Sequence, residues 1–455
     1  MVVKCVRKGL LVGVVTTALA LSACGGSGGK KASGNTSSPP PNTPASSAPS
    51  SGAPSSSAPS GSIRVVSNWT GGEGDAFQAV VDGFKVKYPN VTVNIDVVPF
   101  DQTQAQLTQQ FAAGNAPDVS VALPGIVRQF SSQGLLLNLD GLWDQWVADG
   151  EYNASLRAIN QGSDGHTDAV YFKGNVNALI WYKQSVAAKY GITAAPTTWA
   201  DFTADLDKIK AAGVAPFAVG AKDVWVPTQW VDPMILRVAG IDKYQQLQQG
   251  KIGWDDPAIV KSFTVLAGLI KSYWPKDTLS TAFNDETCNW VSGKNVFANN
   301  GAFVNGAVAS CDKTLKPGTD YTFFELPKYD ASMPNAQAVS GDIFIGNNKT
   351  KNMGATMAFL RYLGSVDAQS IWAKRGGYIA PNMKVPTSVY PSVNDQNAAA
   401  LWPKDASTPA GYDLDDWIGG EIQVKYREAL DKLIQDGNVD EFIKTMTQVD
   451  TRSKG

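Results

Sequence analysis

The chain has 455 residues, and its 39 Lys plus Arg nearly balance 41 Asp plus Glu, so a formal net charge of −2 excludes a field able to recruit nucleic acid or an anionic membrane surface. A single histidine, His166, and four cysteines give no cluster with metal-ligand spacing, so no metal and no cofactor are expected. The glycines after Trp69 are adjacent rather than spaced, which excludes a phosphate loop or dinucleotide fingerprint there.

Lys4, Arg7 and Lys8 open the chain, Gly9 to Ala20 form an apolar run too short to span a bilayer, and small residues then lead to Cys24. That is the layout of a secretory signal, and Leu21-Ser22-Ala23-Cys24 resembles a bacterial lipobox. The resemblance implies removal of residues 1–23, acylation of the Cys24 thiol and a lipid anchor on the outer face of the cell membrane. An ordinary signal with a chance cysteine is the alternative. Gly25 to Ser62 are almost wholly Gly, Ser, Pro, Ala, Thr and Asn, a composition that cannot bury a core. Counted from Cys24, segment 24–62 reads as a tether, spanning roughly 34 Å as a coil and up to ~120 Å as a polyproline helix. No later apolar run is long enough to cross a bilayer, so the body is expected to be soluble and held only by its N-terminus. Cys5 leaves with the signal and Cys24 takes lipid, so Cys288 and Cys311 are expected to form a disulfide in an oxidising compartment.

Ile63-Arg64-Val65-Val66 predicts a strand, followed by a Gly-rich turn and a helix over 73–88 with Phe77, Val80, Val81 and Phe84 on one face. Val91 to Val98 alternates as a second strand, a Gln-rich helix covers 103–113, and Pro117 to Val121 is a third strand. This β-α-β-α-β order predicts an α/β fold with an open, mainly parallel sheet, whose ligand crevice lies outside the carboxyl ends of the strands. The first such end carries Trp69-Thr70-Gly71-Gly72-Glu73.

Further markers are Gly114-Asn115-Ala116-Pro117-Asp118-Val119, Leu179-Ile180-Trp181-Tyr182-Lys183, Pro196-Thr197-Thr198-Trp199, Ala211-Ala212-Gly213-Val214-Ala215-Pro216-Phe217 and Gly376-Gly377-Tyr378-Ile379-Ala380-Pro381-Asn382. In this order behind a lipobox, the chain resembles the carbohydrate-binding proteins of ABC importers, the extracellular solute-binding family, over nearly all of 63–451. The resemblance implies a two-lobed, type II periplasmic-binding-protein-like fold, each lobe a mainly parallel sheet flanked by helices. Lobe 1 would hold 63–172 and 342–375, lobe 2 would hold 178–336 and 382–455, and hinge crossings would lie at 173–177, 337–341 and 376–381. It also implies a monomer that captures a sugar between the lobes and hands it to a membrane permease.

A sugar presents hydroxyls around its rim and C–H patches on its faces, so its site needs planar hydrogen-bonding groups among aromatic platforms. Of 13 tryptophans, Trp69 ends the first strand and Trp225 and Trp230 lie in an irregular stretch; each either stacks on ligand or packs in the interior. Trp181 and Trp199 belong to structural motifs and are assigned to the core. Glu73 opens the first helix, where a capping role competes with ligand contact. The resemblance places Asn175 and Asn177 beside the first crossing, Asn305 in a stretch lacking the stacking tryptophan of the maltose-binding protein, and Asp342 just past the second crossing. Arg375, Gly377 and Tyr378 mark the third crossing, where the arginine either donates to ring hydroxyls or forms a salt bridge. Trp417 sits in an acidic run that reads equally as a binding loop, a solvated loop or a permease-docking surface.

An enzyme is not expected. His166 lies in a polar turn, a poor place for an oriented base. A lipid-anchored glycosidase would need two carboxyl groups flanking one bond, and Glu73 with Asp342 is the pair the sequence leaves open. Other polar cargo on the same fold is the remaining alternative, though iron calls for converging tyrosines or histidine and a polyanion for clustered arginines.

Overall fold

The computed structural model describes residues 58–404 and 409–454. The signal, Cys24 and the tether through residue 57 lie outside the described residues.

β1 (Gly61–Ser67), the helix Gly71–Lys87, β2 (Val91–Val97), the helix Phe100–Ala112 and β3 (Val119–Ala122) follow the predicted alternation, and β1 runs parallel to both β2 and β3. β1 starts two residues earlier than its apolar run, because Gly61 and Ser62 already pair with Val91 and Thr92. The helix Gly71–Lys87 buries Ala76, Phe77, Val80, Val81 and Phe84, the stripe that the 3.6-residue period predicts. Full burial of a side chain such as Phe77 stabilises by roughly 2–3 kcal/mol.

The chain then forms β4 (Ala169–Val176), β5 (Leu179–Lys183), β6 (Phe217–Ala218), β7 (Phe297–Asn300), β8 (Tyr321–Glu325), β9 (Gln337–Gly346) and β10 (Ala410–Tyr412). The first sheet has the order β10-β9-β3-β1-β2 with β4 also on β9, and the second has the order β6-β7-β5-β8. Both are mixed. β9 returns antiparallel to β3 and β4, and β5 is antiparallel to β7 and β8. Each sheet has its own apolar core: Trp69, Phe77, Phe172, Phe344 and Trp372 pack on the first, and Phe202, Phe217, Trp230, Phe297 and Phe324 on the second.

The segments assigned as crossings meet at one place. Gly174 and Ile379 exchange backbone hydrogen bonds of 2.8 and 3.2 Å, and Gly174 pairs with Gly341 of β9. Gly341 has φ +155°, and a side chain there would run into the Lys173 carbonyl, so β4 and β9 approach this closely only with glycine. Between β4 and β5, Ala178 adopts φ 68°, which no other non-glycine among the described residues does. Asn382 and Met383, placed by sequence at the start of the second lobe, bond to Glu151, Gly364 and Gln369 on the first-sheet side.

Cys288 and Cys311 form the expected disulfide, fastening the helix Phe283–Ser292 to the helix Val304–Cys311. Among the described residues no helix is long and apolar enough to cross a membrane.

Candidate ligand-binding cleft

Strand ends bring the polar groups together. β1 delivers Asn68 and Trp69, and the turn at Gly71 starts the helix that carries Glu73 in its first turn. Along β4, Lys173 and Asn175 are two residues apart and so share a face, opposite Ser340 and Asp342 of β9. After β10, Asp413 caps the helix Leu414–Ile418 by accepting from the backbone N–H of Asp415 and Asp416. These groups line a cavity of about 320 Å3 whose far wall is Trp225, Phe283 and Phe303. Those three rings pack on one another with centroids 5.2 to 5.7 Å apart, and none of the three is fully buried. A second cavity of about 550 Å3 continues from the first, sharing Asn68, Leu123 and Asp342 and running between the helices Phe100–Ala112 and Gly420–Asp436.

A hydrogen-bond chain forms the floor. Asn175 Nδ2 donates to Asn177 Oδ1 at 2.5 Å and to Ser340 Oγ at 3.1 Å, while Asn177 Nδ2 and Gln229 Nε2 donate to Asp413 Oδ2 at 3.3 and 2.8 Å. Lys173 Nζ lies 2.5 Å from Glu73 Oε1, 3.9 Å from Asp342 Oδ2, and 5.8 Å from the Trp69 ring centroid. Burial works to lower the Lys173 amine, but the two carboxylates outweigh it and hold the amine above its usual value. Burial raises Asp342, with Lys173 opposing. It also lifts Asp413 to about 6, helped by Asp415, and raises Asp416 well above its usual value, helped by Asp413 and Asp415.

Of the residues singled out from sequence, Trp69, Glu73, Asn175, Trp225 and Asp342 line the cavity. Asn177 is fully buried beneath it and orients Asp413. Trp230 needs correction: its ring is fully buried between Phe217 and Trp274, on the helix Thr228–Val238, whose residues are all buried. Tyr378 is likewise interior, stacked on Trp372 with its hydroxyl donating to the Phe172 carbonyl at 2.5 Å. Asn305 bonds Ser392 and Tyr321, Gly377 donates to Asp395, and Arg375 is exposed; these three do not line the cavity. Trp417 does not line the cavity either and packs instead against Arg128. The Arg128 guanidinium lies 4.4 Å from its ring centroid and donates to its carbonyl. Burial, then Arg452, pulls Arg128 down to about 10. Gly125, one turn before Arg128, approaches the backbone of Gly419.

Sequence reasoning missed Lys173, Gln229, Phe283, Phe303, Asp413 and Asp416 as cavity groups. The acidic run at 413–416 was a usable signal, and the cysteines placed Phe283 and Phe303 near one another. Glu73 and Asp342 do converge, but Lys173 lies between them.

The model of the family described as bacterial extracellular solute-binding protein matches residues 68–370. The chain belongs to that family. An uncharacterised ABC transporter extracellular-binding protein of Pyrococcus horikoshii is 28% identical over 333 residues, covering 71% of this chain and 72% of that protein. The alpha-glucosides-binding periplasmic protein AglE of Rhizobium meliloti is 24% identical over 391 residues, 79% of this chain and 80% of the relative. Among solved structures, a chitin oligosaccharide binding protein superposes with a TM-score of 0.75 at 20% identity, covering 87% of this chain and all of the other, and this likeness shows the two-lobed fold. This solute-binding protein therefore comes from a family of extracellular binding proteins, whose Pyrococcus member serves an ABC transporter.

Proposed function

We propose that this solute-binding protein captures a sugar or oligosaccharide in the cleft and, anchored through Cys24, presents it to a membrane permease. The observation that carries the reading is the wall of Trp225, Phe283 and Phe303 facing a floor of amides and carboxylates, which suits a molecule with apolar faces and a hydroxylated rim. The adjoining second cavity leaves room for more than one ring. The AglE and chitin oligosaccharide relatives, whose names state sugar ligands, support the same class. Lobes 63–172 with 342–375 and 178–336 with 382–455 would close about the three crossings, and ligand touching both shifts the population toward the closed form. No turnover is expected, because Lys173 ties up the carboxylate pair that a hydrolase would need.

A sugar panel read by thermal shift and tryptophan fluorescence tests the class. A ligand at a hundredfold excess over its Kd adds about 2.7 kcal/mol, which raises Tm by roughly 5–10 °C. A panel without a hit, beside a clear response to a peptide or an iron complex, refutes the sugar assignment.

A further inference from the structure

The cleft holds more acceptors than the protein has donors to match. Five carboxylates stand on its wall: Glu73, Asp342, Asp413, Asp415 and Asp416. Arg427 matches Asp415 through both oxygens, at 3.0 Å from Nε and 2.5 Å from Nη2. Lys173 is shared between Glu73 and Asp342. Asp413 receives only neutral donors, from Asn177, Gln229 and two backbone N–H groups, and among the described residues no Lys, Arg or His pairs with Asp413 or Asp416. Behind them Asp232 is fully buried with one oxygen lacking a partner. One carboxylate oxygen from each of Asp413, Asp415 and Asp416 falls within 4.8 Å of the others.

A second, independent observation concerns neutral groups on the same wall. Gln229 is 6% exposed and its Oε1 has no hydrogen-bond partner, and Asn68 Oδ1 is buried without one as well. Both are acceptors awaiting a donor, and a buried acceptor left unpaired is costly. A neutral hydroxyl answers this poorly, since each one that donates also brings an oxygen that needs a donor. A protonated amine donates three N–H bonds, accepts none, and adds positive charge to three carboxylates whose nearby cation, Arg427, is hydrogen-bonded to Asp415.

We propose that the solute is a sugar bearing a protonated amine, whose ammonium sits against Asp413 and Asp416 while its ring lies on the Trp225, Phe283 and Phe303 wall. This rests on the sugar assignment and narrows it. Burial and mutual repulsion raise Asp413 to about 6 and raise Asp416 as well, which favours protons that the arriving ammonium displaces. Binding then releases protons, which calorimetry in buffers of different ionisation enthalpy measures directly.

The test is calorimetry on matched sugars that differ only at nitrogen: glucose, glucosamine and N-acetylglucosamine, the galactose series, and cellobiose, its 2,2′-diamino analogue and the di-N-acetyl form of that analogue. At least one aminated sugar is expected to bind ten times or more tighter than both its hydroxyl and its N-acetyl partner, with the advantage shrinking in salt. Asp416→Asn, an isosteric change, is expected to reduce the ratio of aminated to neutral sugar affinity to less than threefold. The wild-type comparison needs no variant and stands even if Asp416→Asn folds poorly. Neutral sugars binding as tightly as their aminated partners overturn the inference and leave the sugar assignment intact. Spermidine or calcium binding with no sugar bound overturns both.

Discussion

Gly125→Ala isolates closure from folding. Gly125 lies in the first turn of the helix Pro124–Ser131, where alanine is a better helix former, so the first lobe should not suffer from the change. Across the cleft mouth a methyl at this position would stand 2.9 Å from Gly419 Cα and 3.4 Å from Gly419 N. Ordinary contact begins at 3.4 Å, so backbone must shift by about half an ångström. Overpacking of this kind costs about 1–3 kcal/mol. If the lobes part without ligand, the open form escapes the cost and the whole penalty falls on the closed, liganded form. At 1.4 kcal/mol per decade, Kd rises roughly 5- to 150-fold. Calorimetry with the tightest sugar of the panel reads the affinity, and small-angle scattering with and without that sugar reads the opening. The unliganded variant should keep the wild-type Tm. A Kd within twofold of wild type would refute the assignment of this contact to the bound state.

Trp225→Ala should weaken the sugar tenfold or more without a loss of fold, since the ring is only partly buried, and unchanged affinity would return it to a packing role. Removing the Cys288–Cys311 bond, which closes a sequence separation of 23, should cost about 3 kcal/mol in the chain-entropy model; Tm with and without reductant checks it, and ligand affinity should fall too because the bonded helices hold Phe283 and Phe303. Burial raises Glu286 to about 8 although it accepts from Gly220 N–H and the Asn300 amide. The folded state therefore binds this proton more tightly than the unfolded chain, and stability falls as pH rises between about 4.5 and 8. Glu286→Gln should flatten that slope in pH-dependent melts, with Asn300, whose Oδ1 is unpaired, turning its amide to receive the new donor. Cys24→Ala should release the protein from the membrane fraction, and retention at the wild-type level would refute the lipid anchor.

The sequence by itself determined the features that depend on local periodicity and on residue inventory. The first three strands and two helices were legible because an apolar alternation or a 3.6-residue stripe is written in consecutive residues, as in Ile63 to Val66 and Phe77 to Phe84. The disulfide was legible because only Cys288 and Cys311 remained to pair. Tertiary structure alone decided which tryptophans face the cleft. Trp225 and Trp230 are five residues apart in one irregular stretch, and only folding places Trp225 against the cavity before the helix starts at Thr228 and Trp230 in the core on that helix. It alone also decided the charge of the site. Glu73, Lys173, Asp342 and Asp413 come from four distant segments; the sequence offered Glu73 and Asp342 as candidates, but Lys173 and Asp413 join them only where the strands β1, β4, β9 and β10 end side by side. The balanced net charge of the whole chain conceals that concentration, because it sums over positions that only folding brings together.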